Sequence, residues 1–271
     1  MPDAVELSDE IAGVPVAWRE AEPRTAAPVL YLHGVPTDGA DWIPFLERTG
    51  GYALDLPGFG RSGKPGDFDY SAEGYARFLE AFLDHVGAER YSLVTHDWGT
   101  VGLALAQRTP GRVQRLAILD GVPLLPGYRW HRIARVWRTP LAGELLMGFT
   151  TKFGMKRGMR RLVSDRSAAD ELAERVWANF DHGTQRAILR LYRSADPPSL
   201  AKAGERLAEI DAPALVLWGE RDPFIPPEFA RRYAEALGEQ TTVEIMTGAG
   251  HWLWLDRPEA VDAVTRFMER A

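Results

Sequence analysis

Residues 93–100 have the sequence LVTHDWGT, in which a short apolar run leads through small residues into a helical pattern near Val101. The apolar run predicts a buried strand, and the residues after it predict a helix. A tight turn between a strand and a helix presents one side chain at the edge of a sheet, in the position that serine takes in the motif G-x-S-x-G. That side chain is Asp97 here. The alternative is that Asp97 only caps a helix that begins at Trp98.

Strand and helix patterns alternate on both sides of this turn. Strands are predicted at 14–18, 29–33, 91–96, 116–120, 214–218 and 242–245, and the first of these alternates like an exposed strand. Helices are predicted at 71–86, 228–237 and 258–268. This alternation is typical of an α/β protein with a mostly parallel sheet and helices on both faces.

Residues 121–207 interrupt the alternation. They carry helical patterns rich in Arg, Trp and Met, with loop signals near Pro140 and at 196–198. We therefore predict a core formed by residues 1–120 and 208–271 and a helical insertion at 121–207. Exposed Trp and Met side chains on such an insertion could form a homodimer interface.

Composition limits the classes of function. The 271 residues include 32 Lys and Arg against 38 Asp and Glu, and the net charge of −6 argues against nucleic acid or an anionic membrane as the main partner. The absence of cysteine excludes disulfides, thiolate metal sites and a cysteine nucleophile. The N-terminus lacks the pattern of a signal peptide and no apolar run has the length of a membrane span, so we expect a cytoplasmic protein.

Polar and glycine-rich loops follow other predicted strands. The loop HGVPT at 33–37 can direct the backbone N–H of Val35 toward Asp97, where it would form an oxyanion hole with the N–H of Trp98. Late in the chain, aspartate and histidine each follow a strand, in WGERDP at 218–223 and GAGHW at 248–252. The order nucleophile, acid, histidine is the order found with G-x-S-x-G turns. The motif G-x-S-x-G itself is absent, which argues against a serine esterase.

Four motifs occur in order over nearly the whole chain: HGVP (33–36), DLPGFGRS (55–62), HDWG (96–99) and GAGH (248–251). Together they resemble the α/β-hydrolase superfamily, and HDWG resembles its branch of epoxide hydrolases and haloalkane dehalogenases, in which aspartate is the nucleophile. The resemblance implies an α/β-hydrolase fold in which residues 121–207 form a cap, or lid, over the active site. It implies no cofactor. A metal is not expected either, because the chain has no thiolate site and no His-x-x-x-His pair.

The chemistry of that branch assigns a role to each residue. Asp97 would attack an sp³ carbon and form an alkyl ester, which water activated by His251 would hydrolyse. Asp222 would orient His251. Asp120, at the end of a predicted strand, is the alternative acid, because some dehalogenases carry their acid there. The other histidines outside the motifs, among them His131, are predicted to be ordinary.

Opening an epoxide creates an alkoxide that needs a proton donor, and the epoxide hydrolases of this branch use cap tyrosines. Tyr192, in the sequence LYR at 191–193, resembles the Tyr-Arg pair of those enzymes, with packing in the core as the alternative. Tyr128 is the tyrosine in the first half of the insertion and is the candidate for a second donor. Its alternative is a structural position in a loop.

A haloalkane dehalogenase instead binds the departing halide with N–H groups. Trp98 occurs in both classes, and Val35 lacks the side-chain donor that Asn supplies after His-Gly in many dehalogenases. A cap tryptophan remains open as the second donor, the candidates being Trp130, Trp137 and Trp177.

We therefore predict an epoxide hydrolase that converts a small epoxide and water to a vicinal diol, with a haloalkane dehalogenase as the alternative. Another α/β-hydrolase such as an esterase, or a non-catalytic binding protein, are further alternatives. Neither nucleic acid nor a membrane is expected as a partner.

Overall fold

The computed structural model describes residues 4–270. The strands in this range are β1 (Val5–Ile11), β2 (Val14–Ala21), β3 (Val29–Leu32), β4 (Gly51–Leu54), β5 (Tyr91–His96), β6 (Val113–Leu119), β7 (Ala214–Gly219) and β8 (Thr241–Met246). They form one sheet in the order β1-β2-β4-β3-β5-β6-β7-β8. The pairs β1–β2 and β2–β4 are antiparallel, and all other neighbours are parallel. The prediction of a mostly parallel sheet is confirmed.

Helices connect these strands. They are α1 (Ile43–Thr49), α2 (Ala72–His85), α3 (Val101–Arg108), α4 (Arg132–Arg138), α5 (Ala142–Gly148), α6 (Lys152–Leu162), α7 (Arg166–Ala178), α8 (His182–Ser194), α9 (Pro197–Ala203), α10 (Glu228–Leu237), α11 (Leu253–Asp256) and α12 (Glu259–Glu269). Short 3₁₀ helices occur at Gly39–Trp42, Asp97–Thr100, Pro110–Arg112 and Leu207–Glu209. No helix among residues 4–270 combines the length and apolar character needed to cross a bilayer.

The central strands are buried on both faces of the sheet. On β5, Leu93 belongs to an apolar cluster with residues of α2 and α3, whereas Val94 belongs to a second cluster with residues of α1 and α12. Both side chains are fully buried. Because neither face of such a strand meets water, the sequence shows a continuous apolar run rather than alternation.

The expectation of an exposed strand at 14–18 is wrong. β2 extends to Ala21 and is largely buried, because β1 pairs along one edge and helix α2 covers one face. Trp18 packs edge-on against Phe82 of α2, with ring centroids 5.6 Å apart. β1 itself was not predicted, since every side chain before Ile11 is exposed and the segment carries little apolar signal.

Helices α4 to α9 lie between β6 and β7, in the stretch where the sequence predicts a helical insertion. Ion pairs join these helices to the rest of the chain. Arg175 of α7 pairs with Asp38 and Asp41, and Lys64 lies 2.9 Å from the carboxylate of Asp181, which caps α8. These contacts fix the insertion over the ends of the strands that carry the site described next.

Candidate active site

The carboxyl ends of the parallel strands meet at one edge of the sheet, and the loops that leave this edge carry the predicted site residues. Val35 follows β3 and Asp97 follows β5. Asp222 follows β7 and His251 follows β8. In an open α/β sheet this edge is where ligands bind, because successive loops diverge there and leave a crevice.

Asp97 sits on a tight turn between β5 and the helical segment that leads into α3. Its φ of +49° lies in the left-handed region, which non-glycine residues adopt only where the surroundings impose it. The turn needs the small neighbours that the sequence supplies. A Cβ at Gly99 would lie 2.1 Å from the carbonyl oxygen of Leu32, and one at Gly34 would lie 2.6 Å from Cβ of Asp97. This turn therefore aims the Asp97 carboxylate away from the sheet.

Two backbone N–H groups hold the Asp97 carboxylate. The N–H of Val35 donates to Oδ1 over 2.9 Å, and the N–H of Trp98 also donates to the carboxylate. Burial raises the pKa of Asp97, and the facing His251 together with these two donors offsets part of that increase. The carboxylate is thus held by the two N–H groups that the sequence predicts as an oxyanion hole.

His251 lies between two carboxylates. Its Nδ1 is 2.8 Å from Oδ2 of Asp222, and its Nε2 is 3.7 Å from Oδ2 of Asp97. Since the Asp222 carboxylate accepts a hydrogen bond from Nδ1–H, Nε2 is the nitrogen left to take a proton near Asp97. Burial alone would lower the pKa of His251, but the charges of Asp222 and Asp97 raise it above its ordinary value.

The second oxygen of Asp222 is also fixed. Its Oδ1 accepts the backbone N–H groups of Phe224 and Ile225, at 2.7 and 3.1 Å. A carboxylate held at both oxygens keeps one orientation of the imidazole, which is the positioning that a triad acid provides.

Two further histidines fix the loops around the site. His33 accepts the N–H of Leu56 at Nε2 over 2.9 Å, so Nδ1 carries the proton that it donates to the carbonyl of Gly34 over 2.7 Å. His96 Nε2 lies 2.9 Å from the carbonyl oxygen of His251 and ties the turn at Asp97 to the loop after β8. Burial lowers the pKa of His96 well below its ordinary value, so this ring is neutral.

Asp120, the alternative acid, is placed beside Asp222 rather than beside His251. Its Oδ1 accepts the N–H of Gly219 over 2.8 Å, and the carboxyl group is fully buried. Burial first, and then the charge of Asp222, raise the pKa of Asp120 well above its ordinary range. A neutral carboxyl group without contact to the histidine does not supply the charge that an imidazolium needs, so the geometry favours Asp222.

We expect the Asp120→Asn variant to keep kcat/KM within about threefold of the wild-type value, because an amide reproduces both the shape and the neutral charge of the protonated acid. Asparagine also tolerates the positive φ of +40° at this position. Steady-state kinetics of both proteins test this. A loss of a hundredfold or more would mean that Asp120 is ionised and acts on His251.

A cavity of about 390 Å³ lies above the Asp97 carboxylate and His251, between the sheet edge and the insertion. Its lining is mainly apolar, and the polar groups near the two reactive residues are Tyr192 of α8 and His131, which precedes α4. The cavity therefore suits a small, largely apolar molecule with one polar centre.

Tyr192 is packed in a cluster of aromatic rings. Its ring centroid lies 5.0 Å from that of Trp98 and 4.9 Å from those of Trp130 and Trp137. Burial, followed by the negative charge of Asp97, raises the pKa of the Tyr192 hydroxyl well above its ordinary value. The hydroxyl therefore stays protonated at neutral pH and is available as a donor.

Tyr128 contacts the same aromatic cluster through Trp130 but does not line the cavity. Its hydroxyl lies 3.5 Å from the carbonyl oxygen of Phe224, and its side chain is outside the lining of the cavity. Its ring packs against Trp130 and Phe229 instead. The hypothesis that Tyr128 is the second proton donor is therefore not supported, because the side chain is used in packing.

The structure places His131 in the cavity, which sequence reasoning missed. Its Nδ1 accepts the N–H of Ala134 over 3.4 Å at the start of α4, so Nε2 carries a proton. Burial lowers the pKa of His131 to about 4, which makes the ring neutral at physiological pH. The available signal was a histidine one residue before a helix in the insertion, a pattern that is too common to indicate a site.

Comparison with known proteins agrees with this geometry. The α/β-hydrolase fold family matches residues 27–258. A haloalkane dehalogenase from Bradyrhizobium diazoefficiens is 30% identical over 93% of this chain and 89% of its own length, and epoxide hydrolase 3 from Xenopus tropicalis is 28% identical over 88% and 70%. The crystal structure of the haloalkane dehalogenase DbeA from Bradyrhizobium elkani superposes with a TM-score of 0.82 at 28% identity, covering 98% of both chains. The predicted fold is confirmed, and the chain is a hydrolase that belongs to the α/β-hydrolase superfamily, in the branch of haloalkane dehalogenases and epoxide hydrolases.

Proposed function

We propose that this hydrolase opens small epoxides to vicinal diols through an alkyl ester on Asp97. The observation that carries the proposal is the pair of neutral donors, Tyr192 and His131, that line one cavity together with Asp97 and His251. An epoxide oxygen becomes an alkoxide when the ring opens, and it needs an O–H or N–H donor at that moment. Both groups are protonated and uncharged at neutral pH.

In the first step, Oδ2 of Asp97 attacks one ring carbon of the epoxide. The bond from that carbon to the ring oxygen breaks, and the oxygen takes the hydroxyl proton of Tyr192, which later regains it from water. Oδ1 keeps its hydrogen bond from Val35 and becomes the carbonyl oxygen of the new ester. The attacking oxygen is the one that faces His251.

In the second step, His251 takes a proton from water at Nε2, and the resulting hydroxide adds to the ester carbonyl carbon. The negative charge that develops on Oδ1 is stabilised by the N–H groups of Val35 and Trp98. Collapse of this intermediate breaks the bond between Cγ of Asp97 and the original Oδ2, which leaves on the substrate and takes the proton from Nε2 of His251 to become the second hydroxyl of the diol. The new carboxyl group on Asp97 then loses its proton to solvent, which balances the proton that Tyr192 regains. Since esterification removes the charge of Asp97, it also removes one cause of the raised pKa of His251, which favours the neutral base.

Haloalkane dehalogenation is the second candidate. Several curated relatives are haloalkane dehalogenases, and the indole N–H of Trp252 is buried without a hydrogen-bond partner among residues 4–270, whereas that of Trp98 faces the Tyr192 hydroxyl. An unpartnered buried N–H is the kind of donor that a halide would take. Trp98, however, lines a separate cavity beside α3 and α9 rather than the one that Asp97 lines.

The cap tryptophans add little to a halide site. The indole N–H of Trp130 donates to the carbonyl oxygen of Ala195 over 2.8 Å. Trp177 stacks on Phe180 and does not line the cavity, which leaves Trp137 as the cap tryptophan in its wall. We also infer that residues 121–207 act as the cap, because α4, α5, α6 and α8 supply most of the cavity wall above Asp97.

The His251→Gln variant tests the proposal, because loss of the base should let the ester accumulate on Asp97. The variant is incubated with a small terminal epoxide and, separately, with a primary bromoalkane of similar size, and intact mass and peptide mapping are recorded. We expect a mass increase equal to the whole epoxide, located at Asp97. The matched control, His182→Gln on the exposed start of α8, should turn over normally and carry no adduct.

Other outcomes distinguish the alternatives. An alkyl adduct without bromine, formed with the bromoalkane and not with the epoxide, would overturn the epoxide assignment in favour of dehalogenation. An adduct that appears on a residue other than Asp97 would overturn the assignment of the nucleophile.

A further inference from the structure

The cap carries a cluster of exposed apolar side chains beside the cavity entrance. Leu141, Leu145 and Phe149 recur every fourth residue from the N-cap of α5 to its C-cap, and Phe153 follows in the first turn of α6. Their exposed fractions are 77, 62, 78 and 78%. Large apolar side chains exposed together in this way usually mark a contact surface. We call these four residues, with Ile133 and Leu146, the rim patch.

The rim patch is continuous with the cavity. Ile133, Leu146 and Phe149 are exposed to solvent and also line the cavity that contains Asp97 and His251. Whatever covers the rim patch therefore also covers the entrance to the candidate active site. An apolar molecule could pass from that partner into the cavity without crossing bulk water.

Basic residues surround the rim patch. Residues 129–161 contain nine Lys and Arg and a single acidic residue, Glu144, in a chain whose net charge is −6. Lys152, Lys156 and Arg160 are paired with Glu174 and Asp170 of α7, which offsets part of this positive charge. Glu144 is itself paired with Arg193. Arg132, Arg135, Arg157 and Arg161 are exposed, and none of them has an ion pair among residues 4–270. An apolar face bordered by unpaired basic residues is typical of helices that lie on an anionic membrane surface.

We propose that the rim patch binds the surface of an anionic lipid membrane, with the cavity entrance facing the lipid. Leu145, Phe149 and Phe153 would enter the boundary between head groups and acyl chains, and the surrounding arginines would contact anionic head groups. A second copy of the chain is a poorer partner, because a symmetric dimer through this face would bring the exposed, unpaired arginines of both copies together. The net charge of the whole chain, which led us to expect no membrane partner, hides this uneven distribution.

Sedimentation with vesicles tests the proposal, and it requires no turnover, so it is independent of the proposed function. The full chain is mixed with vesicles of phosphatidylcholine alone or with about one third phosphatidylglycerol, at low and high salt. We expect binding to the anionic vesicles, weakened by salt because screening shortens the reach of the arginine charges. We expect the double variant Leu145→Ser/Phe153→Ser to bind at least about tenfold more weakly, since two exposed apolar anchors are lost.

A matched control replaces exposed apolar residues elsewhere, Val5→Ser/Ile245→Ser, and should bind like the wild type. Reversing charge at Arg157→Glu/Arg161→Glu should remove the preference for anionic vesicles, whereas Arg231→Glu/Arg266→Glu should not. No binding to either vesicle, or equal binding by the two apolar double variants, would overturn the proposal. If the wild type self-associates but binds no vesicles, and Leu145→Ser/Phe153→Ser abolishes the self-association, the rim patch would be a dimer interface instead.

Discussion

We expect the Asp97→Asn variant to lose at least about 10⁴-fold in turnover of an epoxide or a haloalkane, because an amide is not a nucleophile toward an sp³ carbon. The substitution is nearly isosteric, and the amide oxygen can still accept the N–H of Val35. Asparagine tolerates the left-handed φ of +49° at this position better than most residues. The loss should therefore reflect chemistry rather than a distorted turn.

The thermal stability of Asp97→Asn shows whether its loss of activity reflects lost chemistry or a distorted turn. Burial raises the pKa of Asp97, so the ionised carboxylate is disfavoured in the folded protein and its contribution to stability declines as pH rises through that pKa. A neutral amide removes this unfavourable contribution, and the Tm of Asp97→Asn at neutral pH should equal or exceed that of the wild type. Initial rates and thermal unfolding measure the two effects on the same samples.

The Asp120→Asn protein is the matched control for this experiment. Asp120 is also a buried aspartate at a positive φ, it follows the neighbouring strand, and it should keep its activity. Turnover by Asp97→Asn within tenfold of wild type would mean that Asp97 only caps the helical segment and that another group attacks the substrate.

The parts of the site that the sequence predicted are those defined by local signals. The turn at Asp97 follows from an apolar strand, small neighbours and a helix within about ten residues. The loops that carry Asp222 and His251 follow strands whose apolar runs are equally clear, and a parallel sheet must bring such loops to one edge. The structure brings these three side chains together, and their roles stay predictions until the variants are measured.

The parts that escaped prediction depend on how helices of the cap pack. Tyr128 and Tyr192 are both tyrosines in one helical insertion, and only packing determines that one lines the cavity and the other contacts Phe224. His131 has no motif around it, and its role as a candidate donor arises because α4 and α8 meet beside Asp97. A periodicity of 3.6 residues identifies a helix and its apolar face, but it does not identify the partner of that face.

Replacing Tyr192 or Tyr128 with phenylalanine should affect the rate of epoxide opening very differently. We expect Tyr192→Phe to slow the ring-opening step of an epoxide by about 10²- to 10³-fold, the range that loss of a positioned proton donor gives. Tyr128→Phe, the matched control, should stay within about threefold of wild type, because its hydroxyl makes one long hydrogen bond, 3.5 Å to the carbonyl oxygen of Phe224, within residues 4–270. Single-turnover quench experiments measure ring opening apart from ester hydrolysis.

The step affected by Tyr192→Phe distinguishes a proton donor from a packing residue. A lost donor slows formation of the ester and leaves its hydrolysis unchanged, because the second step uses His251, Val35 and Trp98 but not the phenol. It also leaves alkylation by a bromoalkane unchanged, since a halide departs without a proton. A void among the rings around Tyr192 would instead disturb both steps and both substrates. Equal losses in epoxide opening, ester hydrolysis and bromoalkane alkylation would therefore remove Tyr192 from the proposed mechanism. A loss confined to epoxide opening would make its hydroxyl the group that donates a proton to the ring oxygen as the C–O bond breaks.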